Sequence, residues 1–289
     1  AGAYNGAALE SFTPTPQVEG TIRVDGRKVF VRASDFTVRG GSGGLLSGLG
    51  VETSTTERAH EWRLPLVRLL DAAGGSVKSF EDIGRTYLPD GNSYTAVEVK
   101  LLSEVPVVSA VLGSVAGLPA INGPLSHFSV MLRDKAQLFP GGPPVVKAAL
   151  GIDITKEELG GDRIHTRVSG CVDNLAENEQ DAFDQIRRFL SYLPSSVDEA
   201  PPRGAAGDPP DRADEALLSI VPKNRRRPFD ARRLIELGHR RHEEHRGRPF
   251  AFHGVEPGVD VEARQVEVSH PELHRVVGRG DPGEGEHWR

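Results

Sequence analysis

The sequence predicts an α/β fold, and two observations lead to that prediction. Three short, predominantly apolar runs have the length of strands: LPLVRLL (64–70), VPVVSAVL (105–112) and FSVML (128–132). Near-continuous apolar runs are typical of strands that are buried on both faces of a parallel sheet. The segments between the runs are long enough for the crossover helices that parallel strands require. We therefore expect a buried, mainly parallel sheet with helices packed against it.

Composition narrows the class of protein. A length of 289 residues predicts either one large domain with an appendage or two domains. A net charge of −6 argues against binding to nucleic acid or to an anionic membrane surface. The single cysteine, Cys171, leaves no disulfide framework and favours a reducing, cytoplasmic location. No apolar run approaches the roughly 20 residues that span a bilayer.

The elements on either side of the apolar runs have their own signals. TIRVDGRKVFVRASDF (21–36) alternates polar and apolar residues around Asp25-Gly26, a pair that tolerates the positive φ of a tight hairpin turn. GGSGG (40–44) follows and predicts a tight loop. NEQDAFDQIRRFLSYL (178–193) has helical spacing, and its apolar face consists of Phe183, Ile186, Leu190 and Leu193.

The amino-acid composition of the chain changes after Pro194. Residues 195–212 are rich in Pro, Gly and charge and predict an extended linker. Helical passages follow within 213–237. From 238 to 289 no period of 2 or 3.6 residues is sustained, and seven of the ten histidines lie there. This tail offers little apolar surface to offset its ordering entropy, so we expect it to be loosely packed.

Two of the apolar runs lead directly into small residues. Leu70-Asp71 continues into AAGGS (72–76), and Leu112 continues into GSVAG (113–117). Glycine at the end of a strand lets backbone N–H groups point at a ligand, and such donors stabilise a developing oxyanion. PGGPP (140–144) is a third small-residue segment, and it contains a glycine pair. The alternative is that all three are only tight turns between strands and helices.

No side-chain nucleophile or metal site stands out. GSVAG places its serine at the second position, so the Gly-x-Ser-x-Gly spacing of a nucleophile elbow is not met. We predict that Cys171 is a small buried residue. His239, His242 and His245 lie among arginines without a zincin signature, so no metal is expected there. The basic run KNRRRP predicts a solvated face, and hydrogen-bonded structural roles are predicted for His60, His127 and His165.

Taken together, these segments resemble the carboxyltransferase (beta) subunits of biotin-dependent acyl-CoA carboxylases, the propionyl-CoA, acetyl-CoA and methylcrotonyl-CoA carboxylase type. The segments that carry the resemblance stand in the family's order: ASDFTVRGGSGG, LPLVRLLDAAGGS, VPVVSAVLGSVAGLPAINGPLSHFSVML, FPGGPPVVKAALGIDITKEELGGDRIHTRVSG and DAFDQIRRFLSYLP. The fourth is specific, because GGPPVVKAALG is followed there by EELGG, a histidine and SG. DPPDRADEALLSIVP and PFDARRLIE resemble the start of the family's second domain.

The resemblance implies a crotonase-like (ClpP-like) fold, a spiral of ββα units that carries oxyanion holes. It implies carboxyl transfer from carboxybiotin to the α-carbon of an acyl-CoA. The family's Ala-Gly-Gly element falls on Ala116, Gly117 and Leu118, so leucine stands where a second glycine is expected. Gly117 and Leu118 would supply the hole. The residues that would line the CoA and acyl side are Gly74, Gly75, Ser76, Gly141 and Gly142.

The resemblance also implies partners and boundaries. No biotin attachment motif is present, so biotin would be carried by a separate chain or domain, with a biotin carboxylase as partner and a homohexamer as assembly. Residues 1–194 would be an N-terminally shortened first domain, 195–212 a linker and 213–237 the remnant start of the second domain. The tail, 238–289, would be a divergent extension or an out-of-frame reading of GC-rich coding sequence.

Three alternatives stay open at this point. The chain as a carboxyltransferase would be incomplete, since the family's site combines two domains. A crotonase-type hydratase, isomerase or decarboxylase would need a positioned carboxylate, for which Glu157 or Glu158 is the nearest candidate. A non-catalytic pseudo-subunit would need no complete site.

Overall fold

The structure is a computed structural model, and it describes residues 2–12, 14–41, 55–75, 84, 92–203, 213–224 and 226–238. These residues belong to the first of two units, 1–254; the second, 255–289, lies outside them. Several predictions also fall outside the described residues. They concern Ser76, most of the GGSGG loop, the second half of the linker, and the tail with its three spaced histidines.

The strands lie in three sheets. In chain order the described strands are β1 (Gly2–Asn5), β2 (Ala8–Phe12), β3 (Gln17–Val24), β4 (Arg27–Ser34), β5 (Leu66–Leu70), β6 (Val107–Val111), β7 (Ser114–Ala116), β8 (Phe128–Leu132), β9 (Gln137–Phe139) and β10 (Asn174–Ala176). The main sheet has the order β10-β8-β6-β5-β4-β3, and all its pairs are parallel except β3–β4. The strands β1 and β2 form an antiparallel hairpin, and β7 and β9 form a short parallel sheet.

Helices cover both faces of the main sheet. The described helices are α1 (Asn92–Leu102), α2 (Leu118–Asn122), α3 (Pro143–Leu150), α4 (Lys156–Gly160), a π-helix (Ile164–Val168), α5 (Glu179–Ser191), α6 (Leu217–Ile220) and α7 (Ala231–Gly238), and residues 55–61 are also helical. None of the described helices is long and apolar enough to cross a membrane.

The predicted hairpin and apolar strands are confirmed. In the β3–β4 hairpin Val24 lies opposite Arg27, and both turn residues have positive φ, 48° at Asp25 and 81° at Gly26. The three apolar runs form β5, β6 and β8, and every residue of β6 and β8 is buried. The predicted α/β class follows from this arrangement.

Alternate residues of the central strands face two different layers, as the pleat of a strand requires. On one face Val67, Val108 and Val130 pack in a core that α5 covers with Ala182, Ile186 and Leu190. Of the four residues predicted for the apolar face of this helix, Ile186 and Leu190 are buried, whereas Phe183 and Leu193 are half-buried. The helix prediction is therefore confirmed with a slightly rotated face.

The other face of the sheet holds a buried ion pair that the apolar pattern did not reveal. The Arg68 guanidinium lies in the middle of β5 and contacts the Glu98 carboxylate of α1, and both side chains are fully buried. Thr56 donates to Glu98 at 2.7 Å, and Arg68 donates to the Leu125 carbonyl at 2.9 Å. These hydrogen bonds matter because buried charges are tolerated only when they are paired and satisfied.

Arg27 fixes the C-terminal end of α5. Its guanidinium donates to the Leu190 and Leu193 carbonyls, each at 2.5 Å. The last carbonyls of a helix have no partner within the helix, so a cationic donor there is favourable. Burial lowers the pKa of Arg27, and the nearby carboxylates of Glu199 and Asp25 oppose that shift.

We expect the Arg27→Met variant to lose about 1–2 kcal/mol of unfolding free energy, because the two carbonyls lose a charged donor. Urea denaturation followed by circular dichroism measures this loss. Arg23→Met is the matched control: Arg23 donates only within the hairpin turn, to the Gly26 carbonyl at 2.7 Å. A loss of below about 0.5 kcal/mol is expected there. Equal losses in the two variants would contradict the capping role.

Candidate functional site

Two chain segments leave the sheet side by side at the C-terminal ends of β5 and β6. The Leu112 N–H donates to the Leu70 carbonyl at 2.9 Å, and the Ala116 N–H donates to the Ala72 carbonyl at 2.9 Å. The parallel pairing of β5 with β6 thus continues beyond the strands. Within the small-residue segment 113–117, the three residues of β7 form a strand because β9 pairs with them.

The glycine turns of the two segments meet face to face. Gly74 has φ +87° and Gly117 has φ +70°, a conformation that side chains disfavour. A Cβ on Gly74 would lie 2.8 Å from the Ala116 carbonyl oxygen, and a Cβ on Gly117 would lie 3.3 Å from the Gly74 Cα. The small residues thus allow the backbone of each glycine turn to approach the backbone of the other.

The glycine pair of PGGPP (140–144) lies beside this contact. The Gly117 N–H donates both to the Phe139 carbonyl, at 3.2 Å, and to the Pro140 carbonyl, at 3.1 Å. Gly141 and Gly142 follow directly, and Gly142 caps α3 without a side-chain hydrogen bond. The predicted residues Gly74, Gly75 and 116–118 are therefore brought together, and Gly141 and Gly142 continue from the segment that bonds to Gly117.

Only some of the predicted N–H donors are available to a ligand. Ala116 and Gly117 donate to protein carbonyls, so the hydrogen bonding of Gly117 differs from its predicted role in the hole. The N–H groups of Leu118 and Gly75 have no acceptor among the described residues. The Gly75 nitrogen would lie 3.8 Å from a Cβ on Gly117, which places it beside the contact.

Leu118 occupies the position where glycine was expected, and its backbone accommodates a side chain. It is the first residue of α2 and is followed by Pro119. It is not among the described residues with positive φ. Its side chain is half-buried. The leucine thus keeps a main-chain donor and adds apolar bulk beside the glycine contact.

Asp71 is a titratable group at this edge of the sheet that the sequence argument passed over. It follows β5 directly, and its carboxylate lies so close to Gly113 that a Cβ there would overlap it. Among the described residues the Asp71 carboxylate has no hydrogen-bond donor or cationic partner. Burial raises the pKa of Asp71 above its ordinary value of 3.8.

The histidines behave as predicted, and the cysteine does not. His60 contacts the Glu104 carboxylate, His127 accepts from the Val107 N–H at 3.0 Å, and His165 bonds to the Leu138 carbonyl at 2.6 Å. The prediction that Cys171 is buried is wrong, since its side chain is exposed. Cys171 lies in the turn after the π-helix, where its N–H is bonded to the Ser169 hydroxyl and its side chain faces outward.

The carboxylates proposed for the crotonase-type alternative lie on the surface. Glu158 closes a capping box with Thr155, and those hydrogen bonds lower its pKa. Glu157 accepts from the Gln137 amide at 3.3 Å. Both are exposed. Among the described residues no group of three or more His, Cys, Asp or Glu side chains is arranged to hold a metal ion.

Comparison with known proteins decides the family. Residues 13–246 match the family described as "Carboxyl transferase domain". The chain belongs to this family. The match ends eight residues beyond Gly238, inside the segment predicted to diverge.

The relatives of this carboxyl transferase domain are named as subunits of a propionyl-CoA carboxylase and of a methylmalonyl-CoA decarboxylase. It is 36% identical over 213 residues to the propionyl-CoA carboxylase carboxyltransferase subunit of Haloferax mediterranei, covering 74% of this chain and 40% of that protein. It is 33% identical over 222 residues to the methylmalonyl-CoA decarboxylase subunit alpha of Veillonella parvula, covering 75% and 42%. The chain thus spans about two-fifths of the length of the curated relatives it matches.

A solved structure confirms the predicted carboxyltransferase, crotonase-like fold. Transcarboxylase 12S, described as a hexamer with hydrolysed methylmalonyl-coenzyme A bound, superposes with a TM-score of 0.63 at 28% identity. The superposition covers 78% of this chain and 44% of that one.

Gly74→Ala is expected to destabilise the carboxyl transferase domain by about 1–3 kcal/mol more than Gly151→Ala does, since its Cβ would also collide with backbone. Gly151 is the matched control because it has φ +71° and nothing within 4 Å of a Cβ. It isolates the cost of the left-handed conformation, about 1–2 kcal/mol. Chemical denaturation of both variants measures the difference. Equal destabilisation would show that the glycine contact is loose.

Asp71→Asn is expected to become increasingly stabilising, relative to wild type, as the pH rises above 3.8. The folded state holds the Asp71 proton more tightly than the unfolded state does, so wild-type stability falls as pH rises through that window. Unfolding free energies at several pH values between about 3.5 and 7 test this. Asp134→Asn, in an exposed turn, is the control. A difference independent of pH would contradict the assignment.

Proposed function

We propose that this chain supplies the acyl-CoA side of a carboxyltransferase, which transfers a carboxyl group between carboxybiotin and the α-carbon of an acyl-CoA. The observation that carries the proposal is the contact between Gly74 and Gly117. Beside it lie two main-chain donors, on Gly75 and Leu118, without acceptors in the described part of the chain. A developing thioester oxyanion needs donors of this kind, positioned before the reaction.

The same main-chain donors also suit carboxybiotin, the second ligand of the proposed reaction. The neutral N–H groups of Gly75 and Leu118 fit a thioester or a ureido oxygen, both of which accept hydrogen bonds from closely approaching backbone donors. Carboxybiotin, when bound, supplies the carboxyl group, and its ureido nitrogen then takes up the α-proton. The residues of this chain would hold the thioester in place and stabilise the negative charge that forms on its oxygen. No nucleophilic side chain is required.

Substrate and partners follow from the family resemblance and from the names of relatives. Propionyl-CoA and methylmalonyl-CoA appear in those names, so we propose a short acyl-CoA or its carboxylated form as the substrate. The only methionine, Met131, is buried in β8. We propose that biotin is carried by another chain or domain, with a biotin carboxylase as partner and a hexamer as assembly. The low cysteine content supports a cytoplasmic location.

The proposed carboxyl transfer can run in either direction, and the name of one relative concerns the reverse reaction. The Veillonella parvula relative is named a decarboxylase subunit. Making and breaking the same carbon–carbon bond pass through the same enolate, so one oxyanion site serves either direction. The exposed position of Glu157 and Glu158 counts against the hydratase or isomerase alternative, because that chemistry needs a carboxylate held at the reacting carbon.

The first test is whether the chain binds acyl-CoA. We expect acetyl-CoA and propionyl-CoA to release or absorb heat on calorimetric titration into the full chain, and free CoA to bind more weakly because it lacks the thioester oxygen. Carboxyl transfer by the chain alone is expected to be slight, since the family's site combines two domains. No heat change with either ester, on protein shown to be folded, would overturn the proposal.

Leu118→Gly tests the acyl side of the same site. Removing apolar bulk beside the glycine contact is expected to improve the binding of butyryl-CoA relative to acetyl-CoA by about tenfold, the range for small changes in an apolar pocket. Ile121→Gly on the exposed side of α2 is the control, and it should leave the ratio unchanged. An unchanged ratio in Leu118→Gly would place the acyl chain elsewhere.

A further inference from the structure

The strand β9 is held from both sides, and only one side belongs to the site described above. On one side it pairs with β7, so that Val115 lies opposite Leu138. On the other side Gln137 forms an antiparallel bridge with Gly161, at the end of α4. This second side is built from α4 and the π-helix that follows it. The position of β9 therefore depends on a segment that contains none of the residues predicted to form the oxyanion hole or to line the CoA side.

His165, in the π-helix, makes the side-chain bond to β9. Its Nε2 lies 2.6 Å from the Leu138 carbonyl oxygen, and its Nδ1 lies 3.1 Å from the Ser169 hydroxyl. A carbonyl oxygen only accepts hydrogen bonds, so Nε2 must carry a proton. In the neutral ring Nδ1 then accepts from Ser169. The two partners thus select one tautomer and fix the orientation of the imidazole ring.

The approach of this segment to β9 leaves no room for a side chain. Gly160 packs so closely that a Cβ there would overlap the Leu138 carbonyl oxygen, and it would lie 3.1 Å from the His165 Nε2. Gly160 is buried. The glycine lets the imidazole and the α4 backbone close around a single carbonyl group. The pairing with β7 and the burial of Gln137, Leu138 and Phe139 hold the strand as well.

The next peptide groups of β9 reach the glycine contact. Phe139 and Pro140 follow Leu138, and their carbonyls accept from the Gly117 N–H. A shift of β9 along its axis would break this shared hydrogen bond and release Gly117 from its position against Gly74. The route from His165 to Gly117 consists of one side-chain bond and two backbone residues.

We infer that His165 is a positioning residue: through its bond to Leu138 it holds β9 so that Gly117 stays against Gly74 and the Leu118 N–H keeps its aim. The inference rests on the proposed function for its effect on ligand binding, but the effect on Gly117 does not depend on a ligand. In this positioning role His165 does not contact the substrate. Its role is to set the geometry of a backbone site from the far side of β9.

Three variants of the full chain test the inference. His165→Gln keeps an N–H donor near the position of Nε2, whereas His165→Leu keeps the volume and loses the donor. His127→Leu is the matched control, because His127 also bonds to one backbone group, the Val107 N–H, but at the opposite, N-terminal end of the strands. Hydrogen exchange of the Gly117 amide, read against a core amide such as that of Val130, reports local opening rather than global unfolding.

We expect His165→Leu to speed Gly117 exchange about five- to tenfold relative to Val130, the effect of losing roughly one hydrogen bond. His165→Gln should restore most of the protection, and His127→Leu should leave the ratio unchanged. The affinity for propionyl-CoA should follow the same order. Unchanged Gly117 exchange in His165→Leu, or an equal change in His127→Leu, would overturn the positioning role.

The two proposals fail in different ways. If wild-type protein binds no acyl-CoA but the Gly117 exchange pattern holds, the function is wrong and the positioning role stands. If wild-type protein binds acyl-CoA and His165→Leu binds equally well with altered exchange, His165 fixes β9 without governing the ligand site, and the inference as stated is overturned.

Discussion

The burial of β6 on both faces constrains much of the rest of the fold. A strand with no solvent face must satisfy its backbone groups by pairing with neighbours on both sides. Here β5 and β8 provide that pairing, and both run parallel to β6. Parallel neighbours end at the same edge of the sheet. The chain segments that follow β5 and β6 therefore leave the sheet side by side. This arrangement alone places the two glycine turns in contact.

The short sheet of β7 and β9 fixes the geometry of the backbone at this shared edge. Two paired segments would leave Gly117 bound on one side only. Strand β9 adds the other side, so that β7 is held between the Ala72 carbonyl and β9. Those predicted site residues that the structure describes lie within or beside these short strands, and so their positions are tied to the sheet rather than to a long loop. Backbone donors gain most from such rigidity, because they have no rotamers with which to adjust.

The sequence predicted the apolar strands, the hairpin and the amphipathic helix because each has a local periodic signal. It also predicted that the glycine turns after β5 and β6 present backbone N–H groups to a ligand. The structure brings these two turns together. It did not predict the engagement of the Gly117 N–H, since that depends on β9, a three-residue strand too short to show a period. Asp71 and the Arg68–Glu98 pair were missed for a related reason. A single charge inside or directly after an apolar run has no pattern, and its partner lies 30 residues away in the case of Arg68.

The contact between Gly74 and Gly117 has a consequence for how this chain can change over time. Each glycine occupies space that the other would need for a side chain, so the cost of the first substitution includes separating the two turns. Once the turns have separated, a substitution at the second position meets a gap that is already open. The double substitution should then cost less stability than the sum of the two single substitutions. In evolutionary terms the positions are epistatic, and a lineage that loses one of these glycines is released from much of the selection that preserves the other.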